Sequence, residues 1–381
     1  MKKLFYFGII LLALFEILNV YFIMPMPGSQ EINTIEVAYF LYSTRWVFRI
    51  LFSLMIIYGF AKTRGDGRSW RRILASLPTI AIVYLFNFVM VADKMFLQPD
   101  QLILKNSSEN SIELDRLIIG ITNNGEAKAY PVEFLTYHHQ VQDSIGGKLV
   151  IVTYCSVCRT GRVYEPMVDG KIEKFRLVGM DHFNAMFEDK TTKSWWRQST
   201  GEAITGEMKG KFLPEFTSVQ MTLAQWLKLY PNSLIMQPDP ASEKFYDKEA
   251  TFEKGSKSGG LTGTDKESWQ PKSWVIGIQI GTETKAYDWN RLTKDRIIND
   301  SLAKTQIVIA LADDGTSFVA YKRPSDEIMT IKNDTLYSGH IKYNFAGENL
   351  TDRSGPLKRI MAYQEFWHSW KTFHPNTEIF E

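Results

Sequence analysis

Cysteine is nearly absent: 381 residues hold two, Cys155 and Cys158. So few thiols exclude a disulfide-built scaffold, and a chain of this length can bury a core without one. An excess of either charge is missing too. Lys plus Arg number 44 against 42 Asp plus Glu, which removes the electrostatic ground for nucleic acid or another polyanion as partner. Nucleotide, hydride and hydrolytic chemistries leave local spacings, and none is present: no Walker loop, dinucleotide fingerprint, H-E-x-x-H or serine elbow. What the chain does have is aromatic side chains, 13% of the total, a content that suits membrane interfaces and β-sheet packing.

Long hydrophobic runs are confined to the first quarter. Leu4–Met24, Tyr42–Ala61 and Leu74–Ala92 each approach the ~20 residues that a helix needs to cross hydrocarbon. The first run is longer than a signal-peptide core and lacks a small-x-small cleavage site, so it reads as a retained anchor. Lys62, Arg64, Arg68, Arg71 and Arg72 crowd the second connection, whereas the first holds Glu31 and Glu36 and no basic residue. The positive-inside rule then predicts a multi-pass protein of the bacterial inner (cytoplasmic) membrane, with a cytoplasmic N-terminus and everything after the third helix outside. The lipid bilayer is the one partner this implies; a protein partner is left unspecified. Glu16, Arg49 and Asn87 fall inside these runs, and counting ~1.5 Å per residue puts them at similar depth. They form either a helix-packing clasp or a functional polar layer.

The outer part carries an internal repeat. Ile118–Cys158 aligns without gaps on Val275–Gly315: Gly120 on Gly277, Lys128-Ala129-Tyr130 on Lys285-Ala286-Tyr287, and Asp143 on Asp300. Further on, TGEAIT at 200–205 answers AGENLT at 346–351, and Trp226 falls on Trp370. Period-2 alternation bounded by Asn-Gly, Gly-Gly and Asp-Gly predicts short hairpin strands in each half, with one helix each over Leu223–Leu229 and Gln364–Thr372. The expected fold class is α+β: three N-terminal transmembrane helices over 1–96, then a mainly β extracytoplasmic domain of two duplicated β-rich halves. The halves span 97–237 and 272–381, joined by a polar Gly/Ser-rich linker over 238–271.

The repeat makes the cysteines informative. Both lie in TYCSVCRTG, and the matching positions of the second half are Ala312 and Gly315; His138 and His139 are matched by Asp295 and Arg296. Scaffold residues recur while thiols and imidazoles occur once, as expected of one active and one structural half. A C-x-x-C pair at the end of a strand can close a disulfide, exchange thiols or present two thiolates to a soft metal, Cu or Zn. No second C-x-x-C completes a closed zinc site, and no helix follows to lower a thiol pKa as in thioredoxin-type motifs. The leading expectation is therefore a soft-metal or thiol redox site at Cys155 and Cys158 with His138. Additional candidates are His139, His182, Asp181, Asn184, Trp196 and Gln198. The alternative is a non-enzymatic binding or assembly module with a structural disulfide. Catalytic residues are not assigned.

GEAKAYP, LTYHHQVQD, VTYCSVCRTG, DKTTKSWWRQSTGEAITG and WLKLYPNSLI, in this order, resemble the domain of unknown function numbered 3179, found in exported or membrane-anchored bacterial and archaeal proteins. The resemblance is close over Leu117–Met236, and the second half looks like that family's usual second part. Members typically read GEARAYP, N-W-H-E-x-V-N-D and T-Y-C-P-L-C-G-T, which marks Cys155, Cys158 and His138 as the positions to watch. Here Ser156 stands for the usual Pro and Arg159 for the usual Gly. The family name implies no established activity.

Overall fold

Asn123-Asn124-Gly125 joins two apolar runs, and in the computed structural model Asn124 and Gly125 both take positive φ, as a tight hairpin turn requires. The structure describes residues 1–246, 249–352 and 354–381. It is a mixed α+β fold with seven sheets among the described residues. Two compact units arise: Met1–Leu97 with Glu173–Arg197 and Glu202–Phe212, and Gln98–Ile172 with Gln198–Gly201 and Leu213–Glu381.

The first unit contains helices α1 (Lys2–Tyr21), α2 (Ile35–Ser43), α3 (Arg45–Ala61) and α4 (Ser69–Tyr84). Pro78 lies inside α4, which runs on as a π-helical turn over Leu85–Val89. Lys2–Tyr21 and Ser69–Val89 are long and apolar enough to cross a membrane; α2 and α3 pass that test only as a pair, bent by 60°. A four-stranded antiparallel sheet of Phe175–Asp181, Asn184–Asp189, Trp195–Arg197 and Ala203–Thr205 completes the unit. Its apolar face joins Val178, Met186, Trp195 and Ile204 to Ile23 and Ala38.

In the second unit Leu117–Asn123 pairs with Glu126–Pro131 on one side and Ser218–Thr222 on the other. A three-stranded meander follows: Gln140–Ile145, Lys148–Cys155 and Thr160–Tyr164. The same order recurs later. Trp274–Ile280 pairs with Glu283–Asp288 and Ala362–Phe366, and the meander is Ile297–Leu302, Thr305–Leu311 and Phe318–Lys322. Lys128 and Tyr130 both bond Asp143 Oδ2, at 2.8 and 2.7 Å. Lys285 and Tyr287 do the same to Asp300 Oδ2, at 2.8 and 2.9 Å. The K-A-Y…D pattern is thus a clasp between a strand and the meander, with the small Ala on the opposite strand face.

Within the repeats, the helices Val132–His138 and Trp289–Asp295 escape the sequence reading. Each spans seven residues, too short for a 3.6-residue period to emerge, and neither is followed by the Pro-Asn stop that marks Leu223–Leu229. The expected helix over Gln364–Thr372 begins late, at Trp367. Gln364, Glu365 and Phe366 instead extend a strand along Trp274–Ile280, where ladder bonds outweigh helix propensity. Within 238–271, Glu249–Glu253 is helical, and Tyr246, Phe252 and Glu253 are buried.

Candidate thiol site

Cys155 ends the strand Lys148–Cys155 and faces Thr160 across the meander. Ser156 to Arg159 make the turn, with Arg159 at φ +56°, the region where the family resemblance puts glycine. Cys155 and Cys158 are fully buried and are not joined in a disulfide. Gln198, also buried, braces the hairpin from beneath: its Nε2 donates to Thr153 Oγ1 at 3.0 Å and to the Thr160 carbonyl at 3.1 Å.

The turn is held from above by residues more than a hundred positions away. Lys272 Nζ donates to the carbonyls of Val157 (3.0 Å) and Leu261 (2.6 Å) and lies 3.2 Å from His368 Nε2. His368 Nε2 is also 3.2 Å from the Val157 carbonyl, and the Phe366 amide donates to the Cys158 carbonyl. Burial pushes the Lys272 pKa down; the charges of Cys158, Cys155 and Asp265 act in the opposite direction. Neither Lys272 nor His368 is detectable from local sequence, because no spacing links them to the cysteines.

Arg159 projects into the interior. Its guanidinium donates to the carbonyls of Phe252 (2.9 Å) and Glu253 (2.8 Å) and to Gln364 Oε1 (3.3 Å), and stacks 3.6 Å from the Trp274 ring centroid. In the second half the corresponding turn carries no thiols. Asp314 holds it, accepting from the amides of Thr316 and Ser317 and from the hydroxyls of Ser317 and Thr222.

His138 is fully buried, with its Nε2 2.6 Å from the Tyr246 hydroxyl. His139 Nδ1 lies 3.1 Å from the Tyr154 carbonyl. Among the described residues no three His, Cys, Asp or Glu side chains converge as a metal-holding group, so Cys155, Cys158 and His138 do not form a three-ligand set. The two cysteines belong to the second unit, and Asp181, His182, Asn184 and Trp196 to the first. There Asp181 accepts from His182 Nδ1 (2.7 Å) and from Arg197 Nη2 (2.7 Å), and Trp196 Nε1 donates to Asp189 Oδ2 (2.9 Å). Asn184 is fully buried.

The polar trio of the N-terminal helices, Glu16, Arg49 and Asn87, is assembled. Arg49 Nε and Nη2 meet Glu16 Oε1 and Oε2 at 2.7 and 2.8 Å, a bidentate pair. Asn87, in the π-helical turn, accepts from Arg49 Nη2 (2.5 Å) and donates to Glu16 Oε2 (2.9 Å). The widened turn gives Asn87 its reach across to α1 and α3.

Buried titratable groups of the second unit set its acid response. Burial pushes His139 and His368 down to about 4, so as pH falls from 6.5 the unfolded chain takes up protons that the folded chain refuses. Glu253, pushed up by burial to about 7, acts oppositely: it holds a proton that the unfolded chain releases above its ordinary pKa of 4.5. Burial pushes the Glu365 carboxyl up as well, so two imidazoles stand against two carboxyls and their contributions to the pH dependence between about 4.5 and 6.5 oppose each other. Melting curves of the purified chain will show Tm falling more steeply from about pH 6.5 to about pH 5 in Glu253→Gln than in wild type, because the substitution removes one of the two opposing carboxyls. An equal pH dependence in the two proteins contradicts the assignment.

Mixed α+β architecture, apolar N-terminal helices and two free cysteines on a hairpin turn define this chain as a β-rich protein with candidate membrane spans and a buried cysteine pair. It belongs to the family described as protein of unknown function (DUF3179), whose model matches residues 100–377. No curated protein and no solved structure matches the chain.

Proposed function

We propose that the chain is a membrane-anchored extracytoplasmic protein whose working part is the Cys155/Cys158 dithiol, and that the dithiol holds a soft metal ion, with Cu(I) the best match. The observation that carries this reading is Lys272, fixed by two carbonyls where the charges of both cysteines bear on its ammonium. Two thiolates and Cu(I) leave one negative charge, which Lys272 neutralises in a site that burial makes intolerant of net charge. Cu(I) accepts two thiolates alone, whereas zinc seeks four ligands and the described residues supply no third. His138 falls outside the ligand set, because its ring nitrogen is engaged by Tyr246. Thiol redox exchange is less well supported: a neutral disulfide would remove the groups that offset the burial of Lys272.

The remaining expectations enter here as part of the same reading. Three spans with a cytoplasmic N-terminus are supported by the apolar lengths of α1 and α4, the bent α2–α3 pair and the basic second connection. Duplication of the outer part is supported by reciprocal contacts. Phe366 donates to the first turn and Thr222 to the second, and Gln220 bonds Gln364 at 3.0 Å. Thr222 and Gln220 align with Phe366 and Gln364 when Trp226 is set on Trp370. Equivalent residues that touch each other mark a two-fold relation between halves.

Anaerobic titration of the purified full-length protein with Cu(I) against a chromophoric chelator tests the metal reading. Wild type will take up about one equivalent, the Cys155→Ser/Cys158→Ser protein none, and Lys272→Gln will bind about tenfold more weakly. Equal uptake by wild type and double-serine protein overturns it. So does mass mapping of a permanent Cys155–Cys158 disulfide in protein taken from cells, which supports the alternative of a binding or assembly module.

A further inference from the structure

A cavity of ≈ 270 Å³ lies within the first unit, where α1 ends, α3 begins and the Leu85–Val89 turn finishes. These termini all fall at one end of the helices, because α1 and α4 run one way and α3 the other. Its wall is of two kinds. Val20, Ile23, Met24, Phe86 and Met90 supply an apolar side, and Arg45, Arg49, Lys94 and Arg176 a cationic one.

Two of these cations are already committed. Arg49 is paired with Glu16, and Arg176 is shared between Glu188 at 2.9 Å and Asp93, the acid of the lining, at 3.3 Å. The other two are not. Arg45 reaches only the Tyr42 carbonyl and ring, and Lys94 the Phe88 ring; among the described residues neither has a carboxylate within ion-pair distance. A cavity that joins apolar walls to two cations lacking counter-charge matches a molecule with a hydrocarbon chain and an anionic head. We infer that it binds an anionic phospholipid of the outer leaflet, the phosphate between Arg45 and Lys94 and an acyl chain along Ile23, Met24, Phe86 and Met90.

The inference rests on the reading that α1, α3 and α4 span the membrane with the N-terminus inside. Under that reading the cavity opens at headgroup depth, where Arg and Lys meet lipid phosphates. Free phosphate shares the head chemistry but leaves the apolar wall unfilled. A neutral quinone would fill the wall and leave the cations unanswered.

The test uses the full chain, delipidated in detergent and titrated with phosphatidylglycerol, phosphatidylcholine or inorganic phosphate under native mass spectrometry. Phosphatidylglycerol will bind in preference to phosphatidylcholine. Arg45→Gln and Lys94→Gln will each weaken it about fivefold, as loss of one surface cation predicts, while an unchanged Tm reports an intact fold. Inorganic phosphate will neither bind nor compete. Equal binding of the two lipids, or equal binding by wild type and the Arg45→Gln/Lys94→Gln protein, overturns the inference, and competition by inorganic phosphate assigns an anion site instead. Carbonate extraction of cell membranes reports anchoring separately: a chain released by carbonate refutes the spanning reading, whereas one retained without lipid preference refutes only the lipid site.

Discussion

Gly277→Ala will destabilise the second unit by about 3 kcal/mol, at the upper end of what overpacking costs. A β-carbon at that position would lie 2.1 Å from Trp370 Cε3, and one on Gly120 2.4 Å from Trp226 Cζ3. Both indoles are buried and tethered, Trp226 Nε1 to Ser233 Oγ and Trp370 Nε1 to Thr377 Oγ1. Neither ring can swing aside without breaking a bond, so the added methyl is accommodated by shifting a strand. Gly120→Ala will behave alike, and Gly260→Ala, where nothing lies within 4 Å of a β-carbon, serves as control within about 0.5 kcal/mol of wild type. Denaturant melts of the three variants check this; a Gly277→Ala protein as stable as the control contradicts the packing argument.

The second large effect is expected at Arg159. Replacing it by leucine strands the buried carbonyls of Phe252 and Glu253 and removes the stack on Trp274, a loss of about 4 kcal/mol from two charge-assisted bonds and their unmet acceptors. Lysine will not rescue it, because an ammonium cannot span two carbonyls and lie flat on an indole. Glycine is the informative substitution: it relaxes the positive φ, worth about 1 kcal/mol, and still forfeits the anchoring, so it too is destabilising. A glycine variant at wild-type stability would mean that the guanidinium contributes nothing net.

These two positions illustrate what was legible in the sequence. Gly120 and Gly277, the K-A-Y…D pattern and the paired tryptophans were visible as matches, and each match corresponds to a local steric or ionic requirement that both halves must meet. Glu16, Arg49 and Asn87 could be grouped because helical rise converts sequence position into depth. Lys272, His368 and Tyr246 could not be found. They reach the thiol turn or His138 through tertiary packing, from segments that read as linker or as a second-half helix. Composition likewise misplaced the weight of 238–271, where Tyr246 and Phe252 are buried among otherwise polar neighbours. Asp181, His182 and Trp196 stood near the cysteines in sequence, yet they close ion pairs and an indole bond in the first unit.

The lid over the cysteine turn comes from late in the chain, since Lys272, Phe366 and His368 all follow it by more than a hundred residues. Under the proposed topology, in which the chain is threaded outward from its N-terminus, the cysteine turn leaves the membrane well before the residues that hold its carbonyls. The turn is then completed only when the last strand and helix arrive.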